Sequence, residues 1–543
     1  MEFMRRTLLQ LGLVFVLVIA SFGTAHAATN AYDAKYVTSI QYMNIGDEPA
    51  NLNLTFYDAA SSTTVNYQLL DTNGSARVIP SMASASLSVS AVSSLSSTAR
   101  YGAVVTSNQP LIATMTQVAN DSIIRTKPVS NGFRASDASG TIVLPSAMKS
   151  CFSDELTTRF SIQNAGASTL SDVTFSLKWP NGATAYTLPS PLTLTAGDVR
   201  HFDLASIAVG SPPAGVSLPS GCAFNGSAVI SSATGSLVAT AVELSTVNKY
   251  ANSFEGMPGE ISQGATTLYF PSAMCRVNYG DGEQYSSYAV QNLNTSSTAN
   301  IEVTFTYQIR ASNGNLGTAQ TKTLNLAIPA GGKGSIPGCD ASKNAVGNTH
   351  TATGNAMPAA AVGSAVITSN RNIVGLQKIS GGGISAATPA FISGGSKIYT
   401  PFVRYSVSCF TANPTGSTCR GESRQRTLFA VQNIGGAPAR IKMTLYNYLG
   451  QVVGTYITPS TVVNGAKISL NPTNATPVSP YTVATQNEFG YTYANNNMIY
   501  SGSAVFESVN AAGTAPASSI AVVTRVLSQT PLGQTGDDYN GTP

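Results

Sequence analysis

The stretch Thr427-Leu428-Phe429-Ala430-Val431-Gln432-Asn433-Ile434-Gly435 decides the fold. Phe429, Val431 and Asn433 alternate with Leu428, Ala430 and Gln432. A period of two places one set on a buried face and the other outside, as in a β-strand. Asn433 followed by Gly435 is turn chemistry, because Gly takes positive φ without steric cost and Asn bonds its own backbone. Near copies stand at residues 159–166 (RFSIQNAG) and 288–293 (YAVQNL), and a degraded copy at 38–46 (TSIQYMNIG). Four copies predict four repeats of one unit.

Each copy is followed by a second alternating strand, carried by Leu52, Leu54 and Phe56, then Val173, Phe175 and Leu177, then Ile301, Val303 and Phe305, then Ile441, Met443 and Leu445. Strand, short turn, strand reads as a hairpin. Further on comes Gly-Ser-Ala-Val at 226–229, 363–366 and 502–505, matched by Tyr-Gly-Ala-Val at 101–104. Repeats two to four also open with a strand running into Pro145, Pro271 and Pro401, spaced 126 and 130 positions apart. Proline there suits a strand end or edge, because it cannot donate to a ladder.

About seven short strands per repeat predict an all-β chain of four tandem β-sandwiches. The expected boundaries are 28–137, 138–257, 258–394 and 395–530, with a polar C-terminal tail at 531–543. Residues 331–361 read as a Gly/Ala/Asn-rich insert in repeat three, exposed and mobile. Repeat one has no obvious opening strand into proline. Either residues 31–36 supply a divergent one, or the sheet edge is left open for a strand from another molecule. The polar tail is a poor candidate for that strand.

The start of the chain is a targeting segment. Arg5 and Arg6 precede an apolar run at 8–20, and Ala25-His26-Ala27 is a small-x-small cleavage site. That is the three-part pattern of a cleaved signal peptide, residues 1–27. The mature chain then has no transmembrane span and is secreted or held at the cell surface. Charged residues make up 10% of the chain and the net charge is +4, which leaves no footprint for nucleic acid. Hydrophobic content is 43%, enough to exclude a disordered chain.

The six cysteines fall two to a repeat in repeats two, three and four. Cys151 and Cys275 follow the strand proline, and Cys222 and Cys339 precede the Gly-Ser-Ala-Val strand. Equivalent positions predict Cys151–Cys222 and Cys275–Cys339, and proximity predicts Cys409–Cys419. Disulfides are the default in an exported chain. Zinc is disfavoured, since there is no Cys-x-x-Cys pair and only His201 and His350 remain after cleavage.

No residues are assigned to catalysis, no metal site and no cofactor. His201 reads as a solvent-facing strand position and His350 falls in the insert. Asp281 and Glu283 sit in a Gly-rich turn that reads as a plain polar turn rather than a calcium loop. No nucleophile elbow or phosphate loop occurs. Tyr446, Tyr448, Tyr491, Tyr493 and Tyr500 cluster in repeat four and form the candidate ligand face.

The hydrophobic strand into Val-Gln-Asn-x-Gly, then alternating Val/Thr/Phe, resembles the cell-adhesion-related bacterial Ig-like domain, over nearly all the mature chain. Repeat one departs from the pattern, with Tyr42-Met43 between Gln41 and Asn44. The resemblance implies Ig-like sandwiches in a bacterial surface protein. The expectation is therefore an exported, non-enzymatic structural or adhesion protein, self-associating or meeting other surface proteins or glycans. The alternatives are a glycan- or protein-binding module with its face in repeat four, and a non-catalytic accessory part of a secreted hydrolase.

Overall fold

The computed structural model describes residues 30–61, 63–70, 74–119, 127–279, 282–339, 353–406, 425–479, 499–530 and 533–543. Among them the chain is all β, with only short 3-10 turns between strands. The expected signal segment, His350, Asp281, Cys409, Cys419, Tyr491 and Tyr493 lie outside the described residues.

The second repeat shows the unit. One sheet orders the strands Val199–Asp203, Leu156–Asn164, Leu237–Ser245 and Ala251–Glu255. The facing sheet orders Thr184–Thr187, Leu170–Lys178, Phe224–Ser231, Thr141–Lys149 and Met257–Pro258. Period-two alternation drives apolar side chains from both sheets into one core of Phe160, Ile162, Phe175, Leu177, Trp179 and Ile230. The first sheet recurs with the same pairings in the other three repeats, ending each time in a short strand: Val129–Asn131, Ile384–Pro389 and Gly533–Asn540.

The Asn of the opening stretch has a stronger reason to be there than a turn preference. Asn164 is fully buried at its strand end. Its Nδ2 donates to the carbonyls of Ser168 at 2.8 Å and of Leu194 and Thr195 at 3.1 Å, and its Oδ1 accepts from Gly166 N at 2.9 Å. Asn44, Asn292 and Asn433 do the same work, each bridging its own turn to the neighbouring strand. A short amide thus satisfies carbonyls that the end of the ladder would otherwise leave buried and unpaired.

Four expectations need correction. Gly46, Gly166 and Gly435 do not take positive φ. At Gly435 the constraint is crowding, because a Cβ would run into Ser518 and the backbone of Ser519. The supposed polar tail is a strand: Gly533–Asn540 pairs along Ile520–Thr530, and Asp537, Asp538 and Tyr539 are buried. The supposed insert begins as Lys333–Pro337, an edge strand paired with Glu283–Asn292, so its first residues belong to the sheet. The opening prolines sit at a register break in the middle of their strands, between Phe270 and Ala273 in repeat three and between Thr400 and Val403 in repeat four. A bulge tolerates the missing donor there.

The repeats do not follow one another in an open row. Gln163, Gln291 and Gln432 donate to the carbonyls of Gly197, Gly331 and Gly465, at 2.9, 2.6 and 2.9 Å. Those carbonyls belong to turns that lie on the outer face of the preceding repeat. Val199 lies against Gly102. Lys333 Nζ donates to Asn225 Oδ1 at 2.7 Å, and Gly465 O accepts from Ser364 Oγ at 2.8 Å. The same contact then closes the circle, since Met82 O accepts from Ser503 Oγ at 3.4 Å. Repeat four therefore docks on repeat one. Val129, Phe402, Val526 and Tyr539 form an apolar cluster across that joint. Met43, in the place of the seam glutamines, packs with Ile112 and Val505.

Candidate functional site

Repeat one differs from the other three at the strand that opens the repeat. In repeats two to four the opening strand pairs with the Gly-Ser-Ala-Val strand, setting Ile142 opposite Ile230, Leu268 opposite Ile367 and Ile398 opposite Phe506. In repeat one the equivalent strand, Tyr101–Ser107, pairs with Ala50–Asp58 on one side. Among the described residues nothing pairs with its other side.

Burial follows the missing strand. Ala228, Ile230, Ala365, Ile367, Ala504 and Phe506 are all fully buried, whereas Ala103 and Val105 are half-buried. On the facing sheet Leu237, Ala239 and Ala241 are buried, whereas their counterparts Leu111, Ala113 and Met115 are half-buried. These five inward apolar side chains line a slot that the other repeats fill.

The far wall of the slot is also in place. In repeat two, Gly256 N donates to Ala239 O at 2.7 Å, and Met257–Pro258 then pairs with the opening strand. In repeat one, Gly132 N donates to Ala113 O at 2.8 Å, which puts Phe133 and Arg134 in the corresponding position. A Cβ on Gly256 would strike Ile142 of the opening strand, but the nearest atoms to one on Gly132 belong to Ala113, at 3.4 Å. Tyr101 stands where the other repeats have glycine. Its ring meets Phe56 edge-on at 6.4 Å, and its hydroxyl accepts from Ser96 N at 2.9 Å.

Residues 31–36 do not fill the slot. Ala31 N and Tyr32 N donate to the carbonyls of Asn248 and Ser245 in repeat two, at 2.8 and 3.0 Å. Tyr32 OH donates to Asp203 Oδ2 at 2.8 Å, and the Arg159 guanidinium lies 4.0 Å over the Tyr32 ring. Of the two readings of repeat one, the divergent strand is the one set aside.

Buried ionisable groups collect at the seams. Glu243 is fully buried, pairs with Lys378 Nζ at 2.6 Å and accepts from Ser146 Oγ at 2.7 Å. Burial lowers the Lys333 ammonium to about 7 and raises the Glu255 carboxyl to about 7. Glu255 accepts from Asn131 N across the seam between repeats one and two. Arg525 and Asp538 form a buried bidentate pair, both bonds at 2.7 Å. These groups join repeats or brace the strands that do. Among the described residues no cluster of His, Cys, Asp and Glu is arranged to hold a metal. Glu283 is engaged by Arg276 and by Tyr285 OH, at 3.0 and 2.6 Å.

Cys151–Cys222 and Cys275–Cys339 are disulfides, each within one repeat. Tyr446 packs in the joint with repeat one, and Tyr448 is exposed on a turn. Tyr500 lies on the strand Ile499–Val509, opposite Tyr405. His201 is not solvent-facing. Its Nδ1 lies 2.8 Å from Ser161 Oγ and its Nε2 is buried. Burial, then the charges of Arg100 and Arg200, lower its pKa to about 4, so the imidazole is neutral. The seam groups Glu243, Lys378, Glu255 and Asp537 went unnoticed in the sequence, which gives scattered charges no signal of pairing.

No family model and no curated protein matches the chain. Among solved structures, the crystal structure of Thermotoga maritima 1070 is similar to 24% of this chain and 94% of its own length, at 16% identity and a TM-score of 0.15. Among the described residues no helix is long and apolar enough to cross a membrane.

Proposed function

We propose that this chain is an exported, non-enzymatic bacterial surface protein, built of Ig-like repeats and serving as a structural or adhesive component. One observation carries the reading: the edge of Tyr101–Ser107, unpaired among the described residues, over a half-covered core. An exposed sheet edge is a template for another chain, and proteins that do not use such an edge normally blunt it. Val104 and Val105 sit on this edge with no charged residue from 101 to 107. Two disulfides within repeats fit an oxidising compartment. The buried acids and bases of the seams are engaged in holding repeats together, which fits a load-carrying body better than a reactive one.

The test is negative-stain electron microscopy of the purified mature chain over a range of concentrations, with fractionation of the cells that make it. Ordered sheets or fibres, or protein recovered from the cell surface, are the expected results. Compact isolated particles at every concentration, together with retention inside the cell, would overturn the reading.

A further inference from the structure

We infer that the slot along Tyr101–Ser107 receives an extended segment of another polypeptide chain, which enters as the missing opening strand and completes the core of repeat one. The inference rests on the strand-accepting reading of that edge and names its occupant.

The three filled slots define the chemistry of that occupant. Each holds an extended segment antiparallel to the Gly-Ser-Ala-Val strand. Inward side chains stand two apart: Ile142 and Leu144, Leu268 and Phe270, Ile398 and Thr400. None of these strands, Thr141–Lys149, Ala265–Asn278 or Lys397–Ser406, contains an acidic residue. A carboxylate facing this apolar wall would be buried without a partner. The occupant is therefore a segment free of acidic residues, with uncharged side chains at its inward positions. By the register of repeat two, its first inward residue faces Val105 and its second faces Ala103. Tyr101 narrows the end at which the other repeats carry glycine, so pairing ends near Gly102. Main-chain bonds along the edge supply affinity, and the alternate inward side chains supply specificity.

Among the described residues, neither candidate segment of this chain supplies the strand. Residues 31–36 are held on repeat two, and Gly533–Asn540 is already paired in its own sheet.

The mature full-length chain is titrated with a fluorescein-labelled synthetic peptide of residues 139–149 (SGTIVLPSAMK), read by anisotropy and by amide hydrogen exchange. The expected result is saturable binding, weakened about tenfold or more in the same peptide carrying Leu144→Asp. Exchange at Ala103 to Thr106 should slow when the peptide binds. Absence of saturable binding overturns the inference. So does slow exchange, in the free protein, of those amides from Ala103 to Thr106 that point away from Ala50–Asp58, since the chain would then be covering its own edge. A concentration-dependent dimer that excludes the peptide would replace the outside partner by a second copy and overturn the inference as stated. Peptide binding by a chain that forms no assemblies and stays inside the cell keeps the slot and rejects the structural reading. Assemblies that form without any peptide binding do the reverse.

Discussion

The backbone N–H of Val129 donates to Oδ2 of Asp537 at 2.7 Å, joining the first repeat to the last across 408 positions of sequence. Asp537 Oδ1 accepts from Asp538 N at 2.8 Å, so both oxygens are engaged in a buried setting. Burial pushes this carboxyl well above the usual carboxylate range. The bond is a latch on a closed arrangement of repeats, because it ties the short closing strand of repeat one to that of repeat four.

Asp537→Ala leaves two buried N–H groups without acceptors, at a cost of about 1–3 kcal/mol. Asp537→Asn keeps an acceptor oxygen and should cost less. Thermal unfolding ranks the two variants. Small-angle scattering should show a larger radius of gyration for Asp537→Ala if the latch holds the ring closed, and an unchanged radius would assign closure to the apolar joint alone.

Lys378→Met strands the Glu243 carboxylate in the seam between repeats two and three. Removing one partner of a buried pair typically costs about 3–5 kcal/mol. Lys378 is 18% exposed, which places the expected loss at the lower end of that range. The double variant Lys378→Met with Glu243→Leu should recover most of it, because no charge is left buried. Chemical denaturation of the three proteins checks the cycle.

Glu255 gives the seam between repeats one and two a pH dependence. Its folded pKa is raised to about 7 by burial, above its unfolded value. The folded state therefore binds more protons than the unfolded state between those two values. Stability from this group falls as pH rises through about 4.5 to 7, by at most about 3 kcal/mol. Glu255→Gln should stabilise the protein at pH 8, change it little at pH 4, and flatten the profile between. Thermal midpoints measured across that window decide the point.

Asn164→Ala removes three donated bonds and one accepted bond at a fully buried strand end. The expected cost is about 2–4 kcal/mol, from carbonyls left unpaired. Asn164→Asp should be no better, because a carboxylate accepts where the three carbonyls need a donor. Denaturation of each variant against the parent gives the values.

Mapping of disulfide peptides from the unreduced protein should return Cys151–Cys222 and Cys275–Cys339, with Cys409–Cys419 as the third pair. Replacing Cys151 and Cys222 together by Ser should cost about 2–5 kcal/mol. A pairing that crosses repeats would contradict the closed unit seen in each.

The all-β class was legible because period-two alternation is local. Phe160, Ile162 and Asn164 announce a buried face whatever lies opposite them, and the structure buries all three. The cysteine pairs were legible through their equivalent positions in two repeats. The edge of repeat one, unpaired among the described residues, was legible as a missing strand, and the structure set aside one of its two readings by placing residues 31–36 on repeat two. The ligand face in repeat four was not legible in the same way, since tyrosine serves a joint as readily as a ligand, and Tyr446 serves the joint.

By itself the sequence determined the strands, their turns and the recurrence of one unit, because each depends on residues a few positions apart. Only the tertiary structure decided that repeat four returns to repeat one, that Gly533–Asn540 is a strand rather than a tail, and that Glu243, Lys333 and Glu255 are buried at seams. Those outcomes depend on contacts between residues up to several hundred positions apart. Such contacts are set by how faces fit and which polar groups find partners, and they leave no periodic trace in the chain.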